Sequence, residues 1–287
     1  MSAVGAEPTS ETSSLARPLP GRLSRRPTGR EGRRRGETGR AHGAGDRRQP
    51  RRAVALRFAR EGANVAINYA SNADQAREVV DEARALGVRA EIYQADVADA
   101  GAVTAMCEAA IADFGQIDAL INNAGLGSSH VDRPTITGAS DEQYQLLMGV
   151  NLWGPIHLCR ALVPHMRAAP RSDVIMVSSV AAQSMGARMG LYAITKAGVE
   201  ALAHTLAKEE RASGMRVNIV APGLVDTDMG RKLMSTFGVT NIRDRDAAAP
   251  FGFVCTPDDI AATIAFLCSD DARYITNERI TVSGGGF

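Results

Sequence analysis

Asp173-Val174-Ile175-Met176-Val177-Ser178-Ser179 and, shortly after it, Gly190-Leu191-Tyr192-Ala193-Ile194-Thr195-Lys196 are the stretch from which the rest of the chain can be read. After Asp173 the first run is apolar up to its two serines, as expected of a strand buried on both faces. The second opens a helix expected over residues 192–212. Tyr192 and Lys196 stand four apart, so they share one helix face with Cβ atoms about 5–6 Å apart. A free tyrosine titrates near a pKa of about 10. A fixed positive neighbour favours the phenolate and brings the hydroxyl toward the range where it trades protons at neutral pH. Taken alone, such a pair is an ordinary surface pair on many helices. Neighbouring strand residues face opposite sides, so only one of Ser178 and Ser179 points into a site shared with Tyr192.

Moving outward, strand and helix patterns alternate. Residues 53–62 read as a helix and 64–68 as a strand. Residues 72–86 read as a helix, with Ala76, Val79, Val80, Ala83 and Leu86 at helical spacing. A strand over 90–94 ends at Ala95-Asp96-Val97, and a helix follows over 101–114. A strand over 117–121 closes on Asn122-Asn123-Ala124-Gly125. A helix capped by Ser140 runs through Val150-Asn151-Leu152 to about residue 167. Beyond the central pair come a strand over 215–221 ended by Pro222-Gly223, a helix over 258–268, and a last strand over 278–282. This alternation implies an α/β fold, a doubly wound parallel sheet with helices on both faces, in one domain over residues 53–287.

The 287 residues and 45% hydrophobic content support a sizeable core, and the net charge of +1 hides an asymmetry. Residues 1–52 carry 13 arginines, no lysine and five acids, a net of +8, which leaves −7 on the remainder. Cys107, Cys159, Cys255 and Cys268 show no metal or redox spacing, nor do the five histidines, so no metal site is expected. Buried thiols in a reduced, cytoplasmic chain are the plain reading. No apolar run approaches the roughly 18 residues of a membrane span, and the first 30 residues show no secretory signal.

Residues 1–52 hold no aromatic residue and few aliphatics, too little to offset the entropy of ordering, so they are expected to be a disordered Arg-rich segment. A solvated tail, a basic arm for nucleic acid and a transit peptide all compete here. The absence of aromatics for base stacking disfavours nucleic acid, and the five acids disfavour a transit peptide. A doubly wound sheet also wants a strand and a Gly-rich turn just before the first helix, and residues 45–52 supply neither. With GC-rich codons, residues 45–51 shifted by one nucleotide read Val-Thr-Gly-Ala-Ser-Arg-Gly, a strand end and turn. The segment is therefore also readable as a frameshifted first strand and phosphate loop.

Asn122-Asn123-Ala124-Gly125, Asn151, Ser179, Tyr192, Lys196 and Pro222-Gly223 occur in the order of the short-chain dehydrogenase/reductases, and the 13-residue step from Ser179 to Tyr192 matches that family. The resemblance spans about residues 53–287. It is closest to the 3-oxoacyl-acyl-carrier-protein reductase branch, through Val220–Met229 and the run 269–276. It implies a Rossmann-like fold and hydride transfer between a nicotinamide and a carbonyl or alcohol carbon, with 3-oxoacyl thioester reduction as one form. Tyr192 would be the general acid or base, and Lys196 would lower its pKa and hold the nicotinamide ribose. Ser179, selected over Ser178 by the family spacing, would bond the substrate oxygen. Asn151 would interrupt its helix and hold a relay water. Asp96 and Val97 would lie at the adenine, and Asn123, Ala124 and Gly125 beside the adenosine ribose. Pro222 and Gly223 would lead to Val225 and Thr227 at the carboxamide. The second strand ends at Asn68-Tyr69-Ala70-Ser71 without a carboxylate, which points to NADP, with NAD as the alternative. The apolar side chains Met229, Leu233, Met234 and Phe237 would cover the substrate, or pack a lid. Family members commonly form homotetramers through the helices after Asp141 and around Tyr192. The missing Gly-rich turn leaves a second reading open, an impaired or inactive relative that binds dinucleotide poorly.

Overall fold

A computed structural model describes residues 14–17 and 50–285. In chain order it contains β1 (Ser14–Arg17), α1 (Pro50–Arg60), β2 (Asn64–Tyr69), α2 (Ala73–Ala85), β3 (Ala90–Gln94), α3 (Ala100–Phe114) and β4 (Ala119–Asn122). Then follow α4 (Asp141–Met148), α5 (Gly154–Met166), β5 (Ser172–Val177), α6 (Ala181–Ser184), α7 (Gly190–Glu209), β6 (Met215–Pro222), α8 (Asp228–Ser235), α9 (Pro257–Leu267) and β7 (Arg279–Val282). The strands form one sheet in the order β3-β2-β1-β4-β5-β6-β7.

Alternation along the strands builds two apolar layers. Leu120, Val174, Met176, Val217 and Ile219 face a core shared with α3, α5 and α7. Ala119, Ile121, Ile175 and Val220 face the opposite core, shared with α1, α2 and α9. Both faces are apolar because both are covered, as parallel sheets require.

The helix starts follow local chemistry. Asn72 Oδ1 accepts from Gln75 N–H at 3.0 Å, and Asp99 Oδ1 accepts from Gly101 N–H and Ala102 N–H. The expected Ser140 cap is a full capping box, with Ser140 Oγ accepting from Gln143 N–H while Gln143 Oε1 accepts from Ser140 N–H. The first helix begins at Pro50 rather than Ala53, where proline's fixed φ and missing N–H suit the first turn.

The sheet corrects the expectation of a vacant central slot and of residues 1–52 without order throughout. β1 lies between β2 and β4 and runs antiparallel to both, with Ser14 opposite Ile67 and Ile121 and Leu15 opposite Ala66 and Leu120. The other neighbouring strand pairs are parallel, as expected. Any Gly-rich turn sought between residues 17 and 50, and the frame-shifted reading of 45–49, lie outside the described residues.

The run Asp141–Met166 is long and apolar enough, by length and composition alone, to cross a membrane. It is instead half buried in the fold, against α3 and α7, and is interrupted by a π-turn at Gly149–Trp153.

Candidate active site

Parallel sheets of this type bind ligands at the carboxyl ends of their strands. Here β4 ends at Asn122, β5 runs out into Ser178-Ser179, and β6 ends at Pro222 before Gly223. A cavity of about 260 Å³ opens over these ends, lined among others by Asn123, Gly125, Ser179, Tyr192, Lys196 and Thr227. Pro222, Gly223 and Val225 also line it.

Tyr192 and Lys196 come from the first two turns of α7, and both are buried. Lys196 Nζ donates to Val177 O at 2.8 Å and lies 5.8 Å from the centre of the Tyr192 ring. Gly125 lies beside this ammonium. A β-carbon at that position would sit 3.4 Å from Lys196 Nζ and 3.5 Å from Asn151 Oδ1, so the backbone after β4 packs directly against both. Ser179 is half-buried, and its Oγ accepts from Ala181 N–H at 3.2 Å. Ser178 turns into the protein, where its Oγ donates to Glu200 Oε1 at 2.7 Å.

Asn151 sits in the π-turn and is fully buried. Its Oδ1 accepts from Leu126 N–H at 2.7 Å, and its Nδ2 donates to Leu126 O at 2.9 Å and to Thr195 Oγ1 at 3.1 Å. Thr195 Oγ1 in turn donates to Tyr192 O. The helix interruption is where the sequence places it. The side-chain amide fixes the loop after β4 against α7, and its bonds go to protein groups.

The adenine-side residues stand apart from this cavity. Asp96 is exposed, with Oδ1 accepting from Ala98 N–H at 2.9 Å. Val97 is buried against Gly154, and its carbonyl accepts from His157 Nδ1 at 3.0 Å. Ala124 packs into the core beside Leu126. Thr227 caps α8, its Oγ1 accepting from Gly230 N–H at 3.0 Å. Met229, Leu233 and Met234 form the apolar wall of the cavity. Phe237 does not join them. It is exposed, and the Arg133 guanidinium stacks 4.4 Å above its ring centre.

The donors available to a dinucleotide can be tested on the geometry. Asn123 Nδ2 is buried and has no partner among the described residues, although Asn123 lines the cavity. A buried donor left open is costly, so a ligand acceptor fits there. Pro50, at the N-terminus of α1, also lines the cavity and brings a positive helix end to it. The ribose and nicotinamide side therefore fits the group. Thiol chemistry does not compete, because burial pushes Cys107 and Cys159 up to about 12 and Cys255 up to about 11.

Sequence reasoning missed Glu200 and Arg279. Their carboxylate and guanidinium pair at 2.8 Å beneath the serines. Glu200 is one helical turn beyond Lys196, a spacing that could have flagged it, whereas Arg279 carries no local signal.

The family described as Enoyl-(Acyl carrier protein) reductase matches residues 51–286. The 3-oxoacyl-[acyl-carrier-protein] reductase FabG of Staphylococcus aureus is 36% identical over 234 residues, covering 82% of this chain and 92% of that protein. The 3beta-hydroxysteroid dehydrogenase 1 of Eggerthella lenta is 37% identical, covering 81% and 87%. Among solved structures, L-sorbose reductase from Gluconobacter frateurii, complexed with NADPH and L-sorbose, superposes with a TM-score of 0.75 at 30% identity, covering 84% of this chain and 93% of that one. A short chain dehydrogenase from Burkholderia cenocepacia in complex with NADP gives 0.73 at 31% identity, covering 84% and 94%. On these similarities the chain belongs to the short-chain dehydrogenase/reductase family of NAD(P)-dependent oxidoreductases.

Proposed function

We propose that the protein is an NADP-dependent reductase of a ketone or a 3-oxoacyl thioester. The observation that carries this reading is the single cavity shared by Ser179, Tyr192 and Lys196 on one side and the apolar Met229, Leu233 and Met234 on the other. Bound NADPH supplies the hydride to the carbonyl carbon. The Ser179 hydroxyl donates a hydrogen bond to the carbonyl oxygen as negative charge develops on it. The Tyr192 hydroxyl gives that oxygen its proton, and the neighbouring Lys196 charge stabilises the negative charge left behind. Asn151 holds the floor of the site in place through Leu126 and Thr195.

Asn123 and Gly125 would hold ribose, and Pro222, Gly223, Val225 and Thr227 would border the nicotinamide, with Asp96 and Val97 toward the adenine. NADP is favoured over NAD because residues 68–71 at the end of β2 offer no carboxylate to repel a 2′-phosphate, and the NADPH- and NADP-bound relatives support the choice. The same relatives lend no support to the reading as an inactive chain. A homotetramer is supported by the exposed Trp153 and Ile194 on the helices expected to pair, and a cytoplasmic site by four free cysteines.

The test is NADPH consumption by the purified full chain, monitored by absorbance against acetoacetyl thioesters, a hydroxyketone sugar and a 3-ketosteroid. Turnover of a thioester or ketone with NADPH preferred over NADH is the expected result. No consumption with any carbonyl would overturn the reading.

A further inference from the structure

We propose that the Glu200–Arg279 pair is a positioning device that ties Ser179 and Lys196 to one another. This deepens the reading of the site given above and rests on it. The Arg279 guanidinium, at the start of β7, makes three contacts that span the sheet edge. Its Nε donates to Glu200 Oε1 at 2.8 Å, its Nη1 donates to Thr281 Oγ1 at 2.6 Å, and its Nη2 donates to Ser179 O at 3.3 Å. Glu200 Oε1 also accepts the Ser178 hydroxyl at 2.7 Å.

One carboxylate oxygen thus receives both the arginine and the serine next to Ser179. Glu200 lies four residues beyond Lys196 on α7, so it belongs to the same helix face. Lys196 Nζ donates to Val177 O, two residues before Ser179. The stretch 177–179 is therefore gripped at three points. The Val177 carbonyl is held by Lys196, the Ser178 hydroxyl by Glu200, and the Ser179 carbonyl by Arg279.

The consequence concerns orientation. With the Ser178 side chain drawn inward and the Ser179 carbonyl fixed, the Ser179 hydroxyl is left facing the cavity. Glu200 and Arg279 do not line that cavity, so they act through Ser178, Ser179 and Lys196. Both charged side chains are only 12% exposed, so removing one leaves the other largely out of water without its counter-charge. A misplacement of about 1 Å at a reacting group can cost roughly a hundredfold in rate. The pair is therefore expected to act on kcat more than on substrate binding.

The experiment uses the full-length chain and the variants Glu200→Ala, Glu200→Gln, Arg279→Ala and Arg279→Lys, assayed with NADPH and the best carbonyl substrate. Glu200→Ala and Arg279→Ala are expected to lower kcat roughly 10- to 100-fold. KM for the carbonyl should change less than about threefold, because the cavity wall is untouched. Glu200→Gln keeps an oxygen acceptor for both donors and should recover most of the rate. The double alanine variant should be no slower than the slower single variant, since both act through one link.

Hydrogen–deuterium exchange provides a readout that needs no turnover. In Arg279→Ala, residues 177–181 and 196–200 should lose protection together. If either alanine variant fails to fold, Glu200→Leu or Arg279→Met, which keep the bulk but cannot make these bonds, carries the same comparison. An unchanged kcat in the folded alanine variants overturns the proposal, as does a loss of protection confined to β7. A wild-type chain inert toward every carbonyl, yet showing the linked exchange, would sink the functional reading and leave this link standing.

Discussion

Two regions of one sheet solve different problems. At the ends of β4, β5 and β6, particular side chains are required, and each is held by short local bonds: Lys196 to Val177 O, Asn151 to Leu126, Ser178 to Glu200. At the centre of the sheet, between β2 and β4, backbone donors and acceptors are required and side-chain identity matters little. That demand is met by four residues from far upstream, running opposite to their neighbours. A sheet accepts any strand that pairs its backbone. A proton-transfer site accepts only groups with the right atoms at the right distance. The chain can therefore close its sheet with an unusual segment while the proposed site stays assembled at the ends of β4, β5 and β6.

The sharpest way to separate the regions is to damage each alone. Tyr192→Phe removes one oxygen from the catalytic end and leaves the packing of α7 intact. It should lower kcat by roughly a hundred- to ten-thousand-fold, with the unfolding midpoint moved little. If both activity and midpoint stay put, Tyr192 is not the proton donor. In the other region, Ala16→Pro takes a backbone N–H out of the middle of β1, where Ala16 faces Val65 and Ala119. Proline in the middle of a sheet removes a ladder hydrogen bond, and leaving its buried partner unsatisfied costs about 1–3 kcal/mol, so urea denaturation should show a loss of that order. An unchanged midpoint would mean that residues 14–17 do not close the sheet.

What the sequence revealed follows the same division. Tyr192 and Lys196 were legible because four residues make one helical turn, and Ser140 because a cap needs only its own neighbours. The two-sided burial of β5 showed as the apolar run Val174–Val177, whereas Arg216 and Asn218 interrupt that pattern in β6. β1 was not legible: Ser14-Leu15-Ala16-Arg17 has a single large aliphatic and no period, and its partners lie about fifty and a hundred residues away. The Glu200–Arg279 pair spans 79 residues and leaves no local trace. Phe237 looked like part of the apolar cover, yet it stacks under Arg133 because α8 ends before it. The Asn151 amide could be placed in the site, but its commitment to Leu126 depends on a loop whose path no spacing gives.

That commitment yields a middle-sized prediction. Asn151→Ala strips the buried N–H and C=O of Leu126 of their side-chain partners. Leaving such groups unsatisfied costs about 1–3 kcal/mol, so thermal or urea unfolding should show a loss of about that size. kcat should also fall, because the loop after β4 loosens against Tyr192 and Lys196. A stable variant with normal kcat would show that the catalytic end does not depend on this brace.

The smallest expected effect lies at the opposite end of β5, where Asp173 is buried between Arg171 and Arg216. Burial outweighs both arginines and pushes the Asp173 carboxyl up to about 6. The folded state therefore holds this proton where an unfolded chain has released it. The stability so gained is full below the ordinary carboxylate range and is lost as pH rises through about 6. Each tenfold gain in proton affinity on folding is worth about 1.4 kcal/mol. Wild type should thus lose about 1 kcal/mol more stability than Asp173→Asn between about pH 5 and about pH 7. Parallel urea titrations of the two proteins measure that difference. A gap that stays constant with pH would mean that the two arginines hold Asp173 ionised throughout. This end of the sheet would then resemble the opposite one, where Glu200 and Arg279 are paired.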